Sequence, residues 1–192
     1  MGRVVVSQFV TVDGVFEDPG GSEGTERGGW AFQFERGEDG DKFKLDEVMA
    51  AEALLLGRVT YEGFAQAWPS REGDFADKFN GMTKYVVSST LGEPQWSNSK
   101  LISSDVPGEV ERLRETDGGD ILVNGSGRLV DTLVEHDLVD EYRLMVFPTV
   151  LGSGKRLFGD LGAPKALRLV ESRPVGTDGV VILIFQPVTR AD

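Results

Sequence analysis

The stretch LLLGRVTYEGF, Leu54 to Phe64, changes character at its centre. Three leucines run into a glycine, an arginine and, one residue on, a threonine, and the residues that follow read as a helix. A buried strand accounts for the leucines. An anion held on the helix N-terminus accounts for the rest. Glycine lets the backbone approach closely, the first N–H groups of the helix point at the anion, and arginine adds a charge-assisted bond. A strand that passes into a helix through such a turn is the unit of an α/β fold.

Working outward, the same alternation continues. Arg3 to Val10 reads as a buried strand, closed by the turn Thr11-Val12-Asp13-Gly14. Glu17 to Asp41 is a long loop rich in Gly, Glu and Asp. Its Trp30, Phe32 and Phe34 alternate either as a short strand that packs locally or forms a dimer contact, or as a lid over a ligand. A helix is expected over Phe43–Glu52, with Leu45, Val48 and Met49 on one face. Strands are expected at Ala53–Leu56, Lys84–Ser88, Lys100–Ser103, Asp120–Asn124 and Glu141–Phe147, and helices at Val59–Ala67, Val106–Thr116 and Arg128–Glu135, with a short one from Asp74. Ala166–Arg173 and Val180–Gln186, joined by VGTDGV, close the chain as an antiparallel hairpin. The pattern predicts one α/β domain over residues 1–192, a mainly parallel sheet flanked by helices with an antiparallel edge.

The chain has 192 residues, 40% hydrophobic and 27% charged, with a formal net charge of −12. That field opposes nucleic acid and anionic membrane surfaces. No apolar run approaches the ~20 residues that cross a bilayer, and the N-terminus reads as a strand rather than a signal peptide, so a cytoplasmic location is expected. With no cysteine and the single His136, thiolate chemistry and multi-histidine metal sites are excluded, and no metal is expected. His136 reads as a helix C-terminal cation. The apolar strand Tyr142–Phe147 suits a dimer interface.

A second turn, Gly125-Ser126-Gly127-Arg128, repeats the motif of Gly57-Arg58-Val59-Thr60. The carboxyl ends of parallel strands share one sheet edge, so both turns should line one crevice. A side chain at Gly125 or Gly127 would occupy room that a phosphate needs. A third strand ends in hydroxyls, Ser88-Ser89-Thr90, which either meet a ribose phosphate or simply end the strand. The G-x-G-x-x-G fingerprint with its distal acid is absent.

These motifs, in order, resemble the dihydrofolate reductase superfamily. The pieces are Ser7 with Thr11-Val-Asp-Gly14, LLLGRVTYEGF, KYVVSST, DILVNGSGRLVDTL and LVDEYRLMVFPTVLGSGKRLF. The chain is more similar to the branch containing the reductase domain of bacterial riboflavin biosynthesis, the RibD C-terminal domain. The resemblance implies NADPH across the sheet edge and hydride transfer to a pyrimidine- or pterin-like heterocycle, as in 5-amino-6-(5-phosphoribosylamino)uracil reductase. It places Gly57, Arg58 and Thr60 on cofactor phosphates, Ser88 and Ser89 by the adenosine ribose, and Gly125, Ser126, Gly127 and Arg128 on the pyrophosphate. Dihydrofolate reductase proper, or an NADP(H)-binding sensor without turnover, are the other readings.

The same resemblance asks for an acid on the first helix. Asp41, Asp46 and Glu47 fall nearby, but the glycine-rich insertion blurs the alignment, and Asp46 and Glu47 read as solvated helix residues. Asp13 is the rival, a catalytic and substrate-binding candidate at the end of the first strand, with a turn-stabilising carboxylate as its other role. Trp30 is a further substrate-binding candidate on the lid reading.

Overall fold

The computed structural model describes residues 1–116, 118–159 and 161–188. Its strands are β1 Arg3–Thr11, β2 Ala51–Gly57, β3 Thr83–Val87, β4 Ser99–Ile102, β5 Asp120–Val123, β6 Glu141–Phe147, β7 Leu167–Val175 and β8 Val180–Pro187. They form one sheet in the order β4-β3-β2-β5-β1-β6-β8-β7. The strands from β4 to β6 pair parallel, and β8 and β7 complete the sheet antiparallel, as expected. The helices are α1 Gly37–Ala50, α2 Arg58–Ala67, α3 Asp74–Gly81, α4 Val106–Thr116 and α5 Gly127–Glu135. None is long and apolar enough to cross a membrane.

Alternate strand residues point to opposite faces, so the central strands, covered on both, read as unbroken apolar runs. Val5, Leu54, Leu56, Val86 and Leu122 meet Val48 of α1, Tyr61 of α2 and Phe79 of α3. Val4, Val6, Leu55, Ile121 and Val123 meet Val110 of α4 and Leu129, Val130 and Leu133 of α5. A third cluster joins Met145, Phe147, Val180 and Ile182 to Trp30 and Ala31.

The aromatic alternation at residues 30–34 is not a strand. Trp30–Gln33 is a 3-10 turn, and Trp30 is 2% exposed. Its indole N–H donates to the Glu17 carbonyl (2.8 Å), and its ring meets Phe147 edge-on with centroids 5.4 Å apart. Trp30 thus packs on the sheet beside β6, as the local-packing reading expects. The loop before it is folded around Asp18, whose buried carboxylate accepts the N–H groups of Glu23 and Thr25 and the Thr25 hydroxyl.

The first helix starts at Gly37 rather than Phe43, with Glu38 and Asp39 complementing its dipole. Its buried face is also different. Met49 is exposed, whereas Gly40, Lys44, Glu47 and Val48 are buried. Glu47 is therefore not a solvated helix residue; Asp46 is exposed and pairs with Lys42.

At the far end of the sheet, the side facing α5 carries three cross-strand rows. They are Tyr142–Phe185–Leu169, Leu144–Leu183–Ser172 and Val146–Val181–Pro174.

Candidate functional site

β5 pairs with β1 only through Val123↔Val6, whereas β1 runs on to Thr11 and β2 to Gly57. The early end of β5 opens a notch between β1 and β2 on the carboxyl edge of the sheet. Asn124 to Ser126 fold into it. The Gln8 amide holds this turn from β1: Nε2 donates to the Gly125 carbonyl (2.7 Å), and Oε1 accepts the Gly125 N–H (3.0 Å). Asn124 Nδ2 donates to the Ser7 carbonyl (3.1 Å).

The two glycine turns interlock here. Ser126, at the N-cap of α5 in the left-handed region (φ 61), donates its N–H to Thr60 Oγ1 (3.0 Å). Its hydroxyl accepts the Gly57 N–H (2.9 Å) and donates to the Asn124 carbonyl (2.8 Å). The structure thus brings Gly57, Thr60, Gly125 and Ser126 together and sets the N-termini of α2 and α5 side by side. Those ends leave N–H groups without helical partners, which, with Arg58 and Arg128, form a donor set that fits a diphosphate. Arg58 is half-exposed and rests on Glu62 one turn on, at 3.2 Å. Arg128 is exposed, and its charge acts on Lys155, whose pKa is raised chiefly by its bond to Glu17.

The glycines have structural reasons as well. A Cβ at Gly125 (φ 52) would lie 2.6 Å from Thr60 Oγ1, and one at Gly127 would lie 2.6 Å from the tip of the Phe16 ring. Neither needs a phosphate to explain it. Ser88 accepts the N–H groups of Thr90 and Leu91 (3.1 and 2.9 Å), closing the turn after β3, and Ser89 is exposed beside it.

Asp13 lies at the end of β1, and its carboxylate is fully engaged. It accepts the Thr11 hydroxyl (2.6 Å) and the N–H groups of Leu151 (3.2 Å) and Gly152 (2.8 Å). The Thr11 bond, then those two backbone donors, hold its pKa at about 2. A carboxyl in that condition is a clamp between two turns and not a proton donor at neutral pH.

Beneath the notch sits a group whose acid, Glu47, the sequence offered only as a solvated helix residue, and whose lysine it did not offer at all. Ser7 on β1 donates its hydroxyl to Glu47 Oε1 (2.7 Å), and Lys44 Nζ donates to Ser7 Oγ (2.7 Å) and pairs with the same carboxylate. Glu47 is 4% exposed and Lys44 9%. The Lys44 ammonium also lies 5.0 Å from the Phe9 ring centroid. The second carboxylate oxygen, Glu47 Oε2, has no partner among the described residues, and neither has Asn124 Oδ1. Two buried acceptors without donors, both on residues bonded to Ser7, are uncommon in a packed interior. A sequence signal for this face existed: Gly40, Lys44, Glu47 and Ala51 follow helical spacing with Val48, but the stripe is polar.

Three comparisons locate the chain among known proteins. It is 29% identical over 188 residues to the uncharacterized protein YyaP of Bacillus subtilis, covering 95% of this chain and 94% of that one. A protein provisionally named for riboflavin biosynthesis, from Shewanella sp. PV-4, superposes with a TM-score of 0.78 at 18% identity over 97% of this chain and 99% of that one. Dihydrofolate reductase from Enterococcus faecalis, solved with NADP(H), superposes with a TM-score of 0.60 at 14% identity over 98% of each chain. These superpositions establish a dihydrofolate-reductase-like fold. The RibD C-terminal domain matches residues 3–181, and the chain belongs to that reductase-domain family.

Proposed function

We propose that this protein is an NADPH-dependent reductase that delivers hydride to a pyrimidine- or pterin-like heterocycle. The carrying observation is Glu47 Oε2, a buried acceptor with no donor, at the notch where the two glycine turns meet. A heterocycle edge bearing N–H or amino hydrogens supplies the missing donor. The diphosphate of the cofactor lies on the starts of α2 and α5, with Gly57, Thr60, Gly125, Ser126 and Gly127 shaping the turn backbone and Arg58 and Arg128 adding charge. Ser88 and Ser89 flank the adenosine end. Bound reduced nicotinamide supplies the hydride. Glu47 orients the ring and, with Ser7 and Lys44, governs the proton that accompanies reduction. Asp13 holds the mouth of the cleft.

Calorimetric titration with NADPH and NADH, together with loss of NADPH absorbance against a pyrimidine and pterin panel, tests this. A charge-assisted contact contributes ~1.5–3 kcal/mol, and both dinucleotides carry the diphosphate, so Arg58→Ala weakens NADPH and NADH alike by roughly tenfold or more. Glu47→Gln lowers turnover by about 10²-fold or more, in the range of a lost proton-transfer group, and leaves NADPH affinity in place. Failure of the wild type to bind NADPH, or full turnover by Glu47→Gln, overturns the proposal.

A further inference from the structure

The helix that carries Lys44 and Glu47 does not hold its own start. Its N-cap residue is Arg36, in the helical region, and no side chain caps it. The backbone just before it is held from the other end of the chain instead. Asp178, in the turn between β7 and β8, accepts the Glu35 N–H through Oδ2 (2.7 Å). Beside it Gly37 (φ 64) and Gly176 (φ 66) lie backbone against backbone. A Cβ at Gly37 would sit 2.9 Å from the Gly176 Cα, and one at Gly176 would sit 2.6 Å from the Arg36 carbonyl carbon. Only two glycines allow main chains to approach so closely. One turn on, Gly40 packs against Val175, whose Cγ2 a Cβ at Gly40 would meet at 3.4 Å.

Gly40, Lys44 and Glu47 are buried on one face of α1. The face that meets the turn is thus the face that meets Ser7. Ser7 is tied to the same hairpin by a second route, across the sheet: it pairs with Arg143 of β6, and Arg143 pairs with Ile184 of β8. Helix and sheet therefore close a ring, with the turn at one corner and the Ser7, Lys44 and Glu47 group at another. Glu47 lies about 15 Å beyond Gly37 along the helix, at ~1.5 Å per residue. A helix moves as a unit over that length. The Ser7–Glu47 and Lys44–Ser7 bonds, both 2.7 Å, survive a displacement of only about 0.5 Å.

We propose that the turn between β7 and β8 is a positioning element for the site. Gly176 and Asp178 set where α1 starts, and so bring the Lys44 ammonium and the Glu47 carboxylate onto Ser7. Neither residue touches substrate; both act through Glu47. The consequence for turnover rests on the reading of Glu47 as the group that orients the ring, whereas the consequence for geometry does not.

The first readout therefore needs no substrate. In protein made with isotope-labelled lysine, the buried and bonded Lys44 ammonium gives a slowly exchanging proton signal, assigned by its loss in Lys44→Met. Gly176→Ala and Asp178→Ala are expected to shift that signal or lose it to exchange with water, well below the melting temperature. Asp178→Asn keeps an oxygen for the Glu35 N–H and retains the signal. Lys42→Ala, which breaks an exposed ion pair elsewhere on α1, retains it too. NADPH affinity, read by calorimetry, is unchanged in all four, because the glycine turns open α2 and α5. The second readout is turnover of a heterocycle that the wild type reduces. There kcat falls roughly tenfold or more in Asp178→Ala, as for a small misplacement of a reacting group, and Asp178→Asn restores it. An unaltered ammonium signal in both Gly176→Ala and Asp178→Ala overturns the proposal. So does a wild type with no protected Lys44 signal, or full turnover in a variant that has lost it. Full turnover by Glu47→Gln overturns the reading of Glu47 instead, and the ammonium signal then decides the positioning by itself.

Discussion

Gly127 shows how one residue can answer to two demands. A β-carbon there meets Phe16, which is 9% exposed and held beneath the start of α5. Gly127→Ala is therefore a packing variant before it is a cofactor variant. Overfilling a packed site costs about 1–3 kcal/mol, and a lowered denaturation midpoint should report it. Phe16→Leu in the same chain removes the ring tip and should restore most of the loss. NADPH titration of that double variant then reads the phosphate site alone. Unchanged stability of Gly127→Ala would remove the packing reason for this glycine. At Gly125 the backbone adds a third demand, because φ is positive and a side chain is strained there whatever the space.

Among the elements, the turn after β1 depends on the turn after β6. Asp13 joins them through Leu151 and Gly152, and Arg156 Nε donates to the Asp13 carbonyl (3.1 Å). Its folded pKa of about 2 lies below the ordinary aspartate value of 3.8, so the ionised form is favoured by folding. The stabilisation is complete above the unfolded value and is lost as pH falls through the folded one. Asp13→Asn should melt lower than wild type at neutral pH, and the gap should close between about pH 4 and pH 2. A gap that stays constant down to pH 2 would mean that charge is not what Asp13 contributes. The strands and glycine turns were legible in sequence because β-branched runs and glycine punctuation are local signals. The buried face of α1 was not. Lys44 and Glu47 occupy core positions of the helical period, and their burial depends on each other and on Ser7, 37 and 40 residues away. A periodicity of apolar residues cannot reveal a stripe that has two charged members at its centre. The placing of Trp30 stayed open for the converse reason: its burial requires β6, more than a hundred residues later in the chain.

For the molecule as a whole, the proposed function asks an acidic chain to hold a polyanion at one spot against its own field. The cations near the two glycine turns are few, and Arg58 is shared with Glu62. Local geometry therefore has to carry the attraction. The interlock of Thr60 with Ser126, and of Gln8 with Gly125, is made entirely by the chain's own groups. Bonds within the chain favour a receiving backbone set in advance, with little conformational entropy to lose on binding. Amide hydrogen exchange would read this directly. Gly57, Gly125 and Ser126 should exchange slowly without nucleotide, and adding NADPH should slow them little further. If these amides exchange freely until NADPH is added, the receptacle is assembled by its guest. A receptacle set in advance fits a reductase that must release its spent dinucleotide each cycle and accept a fresh one without refolding the place where it sits.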